Sequence, residues 1–167
     1  MDDQTLRRDL LTAFEYSYLH DDWVNPLSET LDGVTVAEAL WKPGTSPQPS
    51  PPGRGQSKCI WEIVLHMANW TENIVERMRG DRKARPADGP WPAVPAVVDE
   101  GAWADAQSRL WRSLDVLRAE MQTVSMAVLM EEPWEDGSVL ADLFCRFTHN
   151  AYHIGQITKM RECMAAK

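Results

Sequence analysis

The chain has 167 residues, 44% of them hydrophobic and 25% charged, and 25 acidic against 17 basic residues give a formal net charge of −8. This is the size and composition of one globular domain, residues 1–167, with enough chain to bury a real core. The acidic balance sets aside nucleic acid and anionic membrane surfaces as partners, and no apolar run approaches the roughly 20 residues of a membrane span.

The opening residues Met1-Asp2-Asp3-Gln4 are polar and no apolar signal core follows, so a secretory route is not expected. Three cysteines, Cys59, Cys145 and Cys163, make no CxxC pair. A disulfide framework and a zinc ribbon are both unsupported, and reduced thiols in a cytoplasm fit better.

Taken in chain order, Leu6, Leu10, Phe14 and Tyr18 recur at helical spacing and predict a first helix from about Asp3 to about Asp32, kinked or divided at Pro26. Gly33 is a C-terminal stop, and Thr35 with Glu38 three residues on predicts a capping box over a short turn, Val36 to Trp41. Residues 42–57, KPGTSPQPSPPGRGQS, read as a long Pro-rich loop inside the domain. Ser57 is the expected N-cap of the clearest helix, whose stripe is Ile60, Ile63, Val64, Met67, Trp70, Ile74 and Met78 and which Gly80 ends. A second Pro-rich loop covers 81–100. A third helix is expected over roughly Gly101 to Val124, with Trp103, Leu110, Leu114, Leu117 and Met121 inward, and a further turn from Met126 to Met130. After a break at Pro133 to Gly137, the last helix spans about Ser138 to Cys163, with Leu140, Leu143, Phe144, Phe147, Ala151, Ile154 and Ile157 on its apolar face. Four substantial helices and no β-type alternation predict an all-α four-helix bundle.

Three of the four histidines fall mid-helix. His149 and His153 are one turn apart, which puts their rings on one face about 6 Å apart at Cβ. Two imidazoles so placed can share an ion if a neighbouring helix supplies a third, and His66, central in the other strongly amphipathic helix, is the donor expected. Asp142, Cys145, His149, His153, Gln156 and Met160 border the apolar face of the last helix, and Glu62, His66, Asn69 and Asn73 border that of the second. Two such borders facing each other make a polar pocket with an apolar wall.

The segment His149-Asn150-Ala151-Tyr152-His153-Ile154-Gly155-Gln156-Ile157 resembles the last-helix motif of the DinB/YfiT-like superfamily, and Ser57-Lys58-Cys59-Ile60-Trp61-Glu62-Ile63-Val64-Leu65-His66 resembles its second helix. The resemblance implies an up-down-down-up four-helix bundle, commonly dimeric, with a divalent metal, zinc or nickel, on His66, His149 and His153. Relatives of known activity are thiol-dependent S-transferases and isomerases using low-molecular-weight thiols such as bacillithiol or mycothiol. The long loop 42–57 departs from the family pattern and bears on which substrate fits.

Other residues admit two readings. Cys145 is a fourth, soft ligand or a small buried hydrophobe, the second being favoured. His20, beside Asp21 and Asp22, approaches the metal or is a solvated residue of the first helix, again the favoured reading. Gln156 orients a ligand or packs between helices. Glu62 is a base, a partner of a ligand nitrogen, or part of a solvated face. Tyr152 is expected between helices, and Trp61 and Trp70 in the core or pocket wall. The expected function is a metal-dependent enzyme acting on a small thiol and an electrophile. The alternatives are a metal-dependent hydrolase of the same fold and a non-catalytic, metal-stabilised dimeric module.

Overall fold

The computed structural model describes residues 2–22, 24–43, 57–133 and 137–166. Among these residues there are seven helices and no β-strand: α1 (Asp3–Tyr16), α2 (Leu27–Leu31), α3 (Val36–Leu40), α4 (Ile60–Arg79), α5 (Glu100–Thr123), α6 (Met126–Leu129) and α7 (Val139–Ala165). The fold is all-α, as expected. Residues 44–56, most of the Pro-rich loop, and 134–136 of the expected break lie outside the described residues.

Helix ends are set by local polar chemistry. Asp2, Thr35, Asp99, Ser125 and Ser138 each place a side-chain oxygen on a backbone N–H of the first turn of their helices. The Thr35–Glu38 capping box forms as predicted, and Gly33, just past α2, has φ +65°. Two boundaries differ from expectation. The first helix stops at Tyr16 rather than running to Pro26, because the Ser17 hydroxyl and N–H both bond to the Phe14 carbonyl and the chain turns to place buried Tyr18 under the Leu27 N–H. Helix α4 is capped at Cys59 rather than Ser57: Glu62, its third residue, reaches back to the Cys59 N–H at 3.0 Å.

Helix α4 packs against α5 and α7, and α1 lies on α5. Phe14, Ile60, Trp61, Leu110, Leu117, Leu143 and Ile154 meet in the core, with Trp61 against Trp103 at 5.2 Å. All five inward residues predicted for α5 are buried. Phe144, expected on the apolar face of α7, is instead exposed, because the buried row runs Val139, Leu143, Phe147, Asn150, Ile154, Ile157 and leaves Phe144 about 100° to one side. Contacts between α4 and α7 run in opposite order along the two helices: Arg77 meets Asp142, and His66 meets His149. This antiparallel seam carries the polar residues that matter below.

Candidate metal centre

Among the buried and half-buried polar groups along α4 and α7, two sets meet across the seam as polar inclusions. The first is an ion pair. Arg77 bonds Asp142 at 2.5 Å and sends Nε and a terminal nitrogen to the Ala84 carbonyl, pinning the start of the 81–99 loop. Arg146 lies between this pair and the histidines, its guanidinium 4.7 Å from the centroid of Trp70.

The second inclusion is the three histidines. His66 from α4 and His149 and His153 from α7 bring one ring nitrogen each to within 4.8 Å of one another. His66 Nε2 is 2.8 Å from His149 Nε2, which is 3.0 Å from His153 Nε2. Outer contacts assign the tautomers. The Pro90 carbonyl, 2.5 Å from His66 Nδ1, can only accept, so Nδ1 carries the proton. Gln156 donates its amide to the Tyr152 hydroxyl at 2.8 Å, leaving its carbonyl to accept from His153 Nδ1 at 2.7 Å. Both Nε2 lone pairs therefore point inward at His149.

A single N–H on His149 cannot satisfy both neighbours well. His149 Nδ1 is itself buried, makes no well-formed hydrogen bond and has only the Asn150 side chain beside it, so neither tautomer of that ring is well satisfied. Three lone pairs aimed at one point fit a divalent cation. The two spacings through His149, 2.8 and 3.0 Å, lie within about half an ångström of the N···N distance that a tetrahedral ion with bonds of about 2.0–2.1 Å would set, while the full span of 4.8 Å is wider, so the rings would draw together around the ion. Burial reinforces this: it pushes His66 down to about 4, against a weaker upward pull from the Pro90 carbonyl, pushes His149 down to about 3, and lowers His153 too. The neutral imidazole is the ligating form.

Sequence reasoning placed no functional residue in the 81–100 loop, yet this loop walls the cluster. Trp91 stacks on His66 at 3.7 Å and 11°, and meets His153 edge-on at 5.8 Å. Asn69 donates to the Gly89 carbonyl at 2.6 Å, and Arg109 reaches Asp88 at 3.2 Å, so the loop is tied to both α4 and α5. A cavity of about 530 Å³ opens beside His153 and Gln156, walled by Trp41, Ile63, Trp91 and Met160.

The remaining sequence-predicted residues sort differently. Gln156 holds a histidine ring. Glu62 does not reach the imidazoles; its carboxylate is engaged by Lys42 at 2.9 Å, Lys58 at 3.1 Å and the Cys59 N–H. Burial pushes Glu62 up, but these three partners outweigh it and hold the group at about 2. Cys145 is exposed, so it is not the buried hydrophobe expected, and it lies outside the cluster of potential ligands. His20 is exposed in the turn after α1, 4.8 Å from the Tyr16 ring, and also outside the cluster. Tyr152 is exposed rather than packed between helices. Trp61 belongs to the core, and Trp70 sits edge-on to His66 at 6.4 Å.

An all-helical chain with three neutral, convergent histidines is a helical protein able to bind a metal ion. A family model of the DinB superfamily matches residues 19–157, and the chain belongs to that superfamily. Comparison with curated proteins and with solved structures finds no match.

Proposed function

We propose that the protein is a metal-dependent enzyme in which His66, His149 and His153 hold one divalent ion, zinc or nickel, and that it joins a low-molecular-weight thiol, of the bacillithiol or mycothiol type, through its sulfur to an electrophile, the thiol giving up its proton and the electrophile its leaving group. The observation that carries this reading is the convergence of three neutral imidazoles, one of which, His153, lines a 530 Å³ cavity. A divalent ion held there supplies a Lewis acid that lowers the pKa of a coordinated thiol towards neutrality. The chain's own residues prepare the site. Pro90 and Gln156 fix the protons on the outer nitrogens of His66 and His153, and burial keeps all three rings uncharged. Trp91 screens one side from water.

Support for an enzyme over a structural metal comes from the donor count. The cluster among the described residues holds three histidines and neither a cysteine nor a carboxylate, so positions remain for exogenous ligands. Thiol transfer rests on the superfamily. The same reading carries an up-down-down-up order of α1, α4, α5 and α7, a homodimer, and a cytoplasmic setting in which the three free cysteines stay reduced. Among the described residues, no helix is long and apolar enough to cross a membrane.

The test is an assay of tag-free protein, loaded with zinc or nickel, against a panel of small thiols and an alkylating electrophile. Metal-dependent conjugation that His153→Ala abolishes is expected. Ester hydrolysis without thiol conjugation would replace the reading by the hydrolase one.

A further inference from the structure

We infer that the cavity beside the histidines takes an organic anion: a ligand with an apolar or aromatic body and a carboxylate. The inference rests on the site proposed above and specifies the chemistry of what binds beside it. Acidic residues outnumber basic ones by 25 to 17 in this chain, so a lining drawn at random would carry more carboxylates than amines. The described lining does the reverse. It holds two lysines, Lys58 and Lys159, and neither aspartate nor glutamate.

These lysines flank the cavity from two elements. Lys58 precedes α4 and lies 5.1 Å from the centroid of Trp91, the ring that also stacks on His66. Lys159 projects from α7, nearly two turns beyond His153. Their counter-charges stand behind them. Lys58 shares Glu62 with Lys42, a neighbour outside the lining, and Lys159 pairs with Glu162, so with Lys42 counted three ammonium groups stand against two carboxylates. The excess is positive before any metal is added. The body of the ligand has its own surfaces: Trp41, Trp91, Ile63 and Met160 line the cavity and make much of its wall apolar. The volume suits a bicyclic body. The Tyr152 hydroxyl and Gln156 amide lie at the histidine edge, bonded to each other. A ligand anchored by its carboxylate at the lysines would thus lay its body along Trp91 and direct its far end towards the histidines.

The test is calorimetric titration of full-length protein with 2-naphthoate and with its uncharged isostere, 2-naphthamide, with and without one equivalent of zinc. Lys58 is partly and Lys159 largely exposed, so the expected preference for the acid is only about fivefold. It should appear in both metal states and vanish in the Lys58→Gln/Lys159→Gln double variant. Trp91→Ala should weaken both probes alike. The single variant Lys159→Glu, on an exposed helix surface, should at least halve the preference and serves if the double variant folds poorly. Equal affinities in the wild type, binding of neither probe, or a preference that survives loss of both lysines would overturn the inference. A preference seen only with zinc would do so as well, since it would put the carboxylate on the metal. The zinc-free arm keeps the question separate from the metal site, which the metal content of His153→Ala decides.

Discussion

Two polar inclusions interrupt the same α4–α7 seam, and they end differently. At one, Arg77 and Asp142 answer each other, and the spare guanidinium nitrogens close on the Ala84 carbonyl. At the other, His66, His149 and His153 turn their nitrogens towards one another and the bonding does not close, His149 Nδ1 having only a poorly placed Asn150 side chain beside it. A polar group buried with its bonds complete holds structure together. One buried with its lone pairs convergent and incomplete is arranged for something that comes from outside.

That contrast makes separable predictions. The largest effect belongs to the histidines. His153→Ala should cost about 4 kcal/mol of zinc affinity, about a thousandfold, as one donor's share of a structural zinc site's binding energy. Competition with a chromophoric chelator measures it, and the metal-free fold should be retained by circular dichroism. Next comes the closed inclusion. Arg77→Ala leaves Asp142 short of its main partner and should lower unfolding stability by about 3 kcal/mol in urea, with zinc stoichiometry unchanged. Loss of metal in that variant, at a pH where it stays folded, would erase the distinction between the two inclusions.

A smaller effect is expected at the outer ring of the site. Gln156→Leu removes the acceptor for His153 Nδ1 and should weaken zinc binding by about thirtyfold, with little change in stability. The smallest concerns Glu62, which belongs to the helix cap and not to the site. Its folded pKa, about 2, lies below the ordinary value of 4.5, so the unfolded chain takes up the proton first as pH falls. Its stabilisation is therefore full above about pH 4.5 and is lost as pH drops towards 2. Denaturation at pH 6 and pH 3 should show Glu62→Gln removing about 1 kcal/mol of that acid sensitivity, without altering metal content.

Much of this was legible in the residues. Helical spacing located the cores of α4, α5 and α7, and the 149–153 and 66 pattern located the histidines that the structure brings together. What stayed hidden has physical reasons. Periodicity cannot see a helix that ends on a serine whose hydroxyl turns back to the carbonyl three residues earlier, as Ser17 does to Phe14. Nor can it see a capping carboxylate, so Glu62 looked like a neighbour of the site when its partners lie at the start of α4. The loop over 81–99 has no pattern at all. Its Trp91 became a wall of the site through long-range bonds from His66 and Asn69 to backbone carbonyls that any sequence would carry, and from Arg109 to the Asp88 carboxylate, which no spacing links to it. Cys145 and Tyr152 share the helical face or neighbourhood of the histidines, but a helix of 27 residues turns those positions to solvent.

The central claim is that the three histidines share one metal ion. X-ray absorption at the metal edge, on tag-free protein whose metal content has been measured, tests it most directly. The account predicts one zinc or nickel per chain with three imidazole nitrogens at about 2.0–2.1 Å. No stoichiometric ion, or a sulfur neighbour at about 2.3 Å from a protein cysteine, would contradict it.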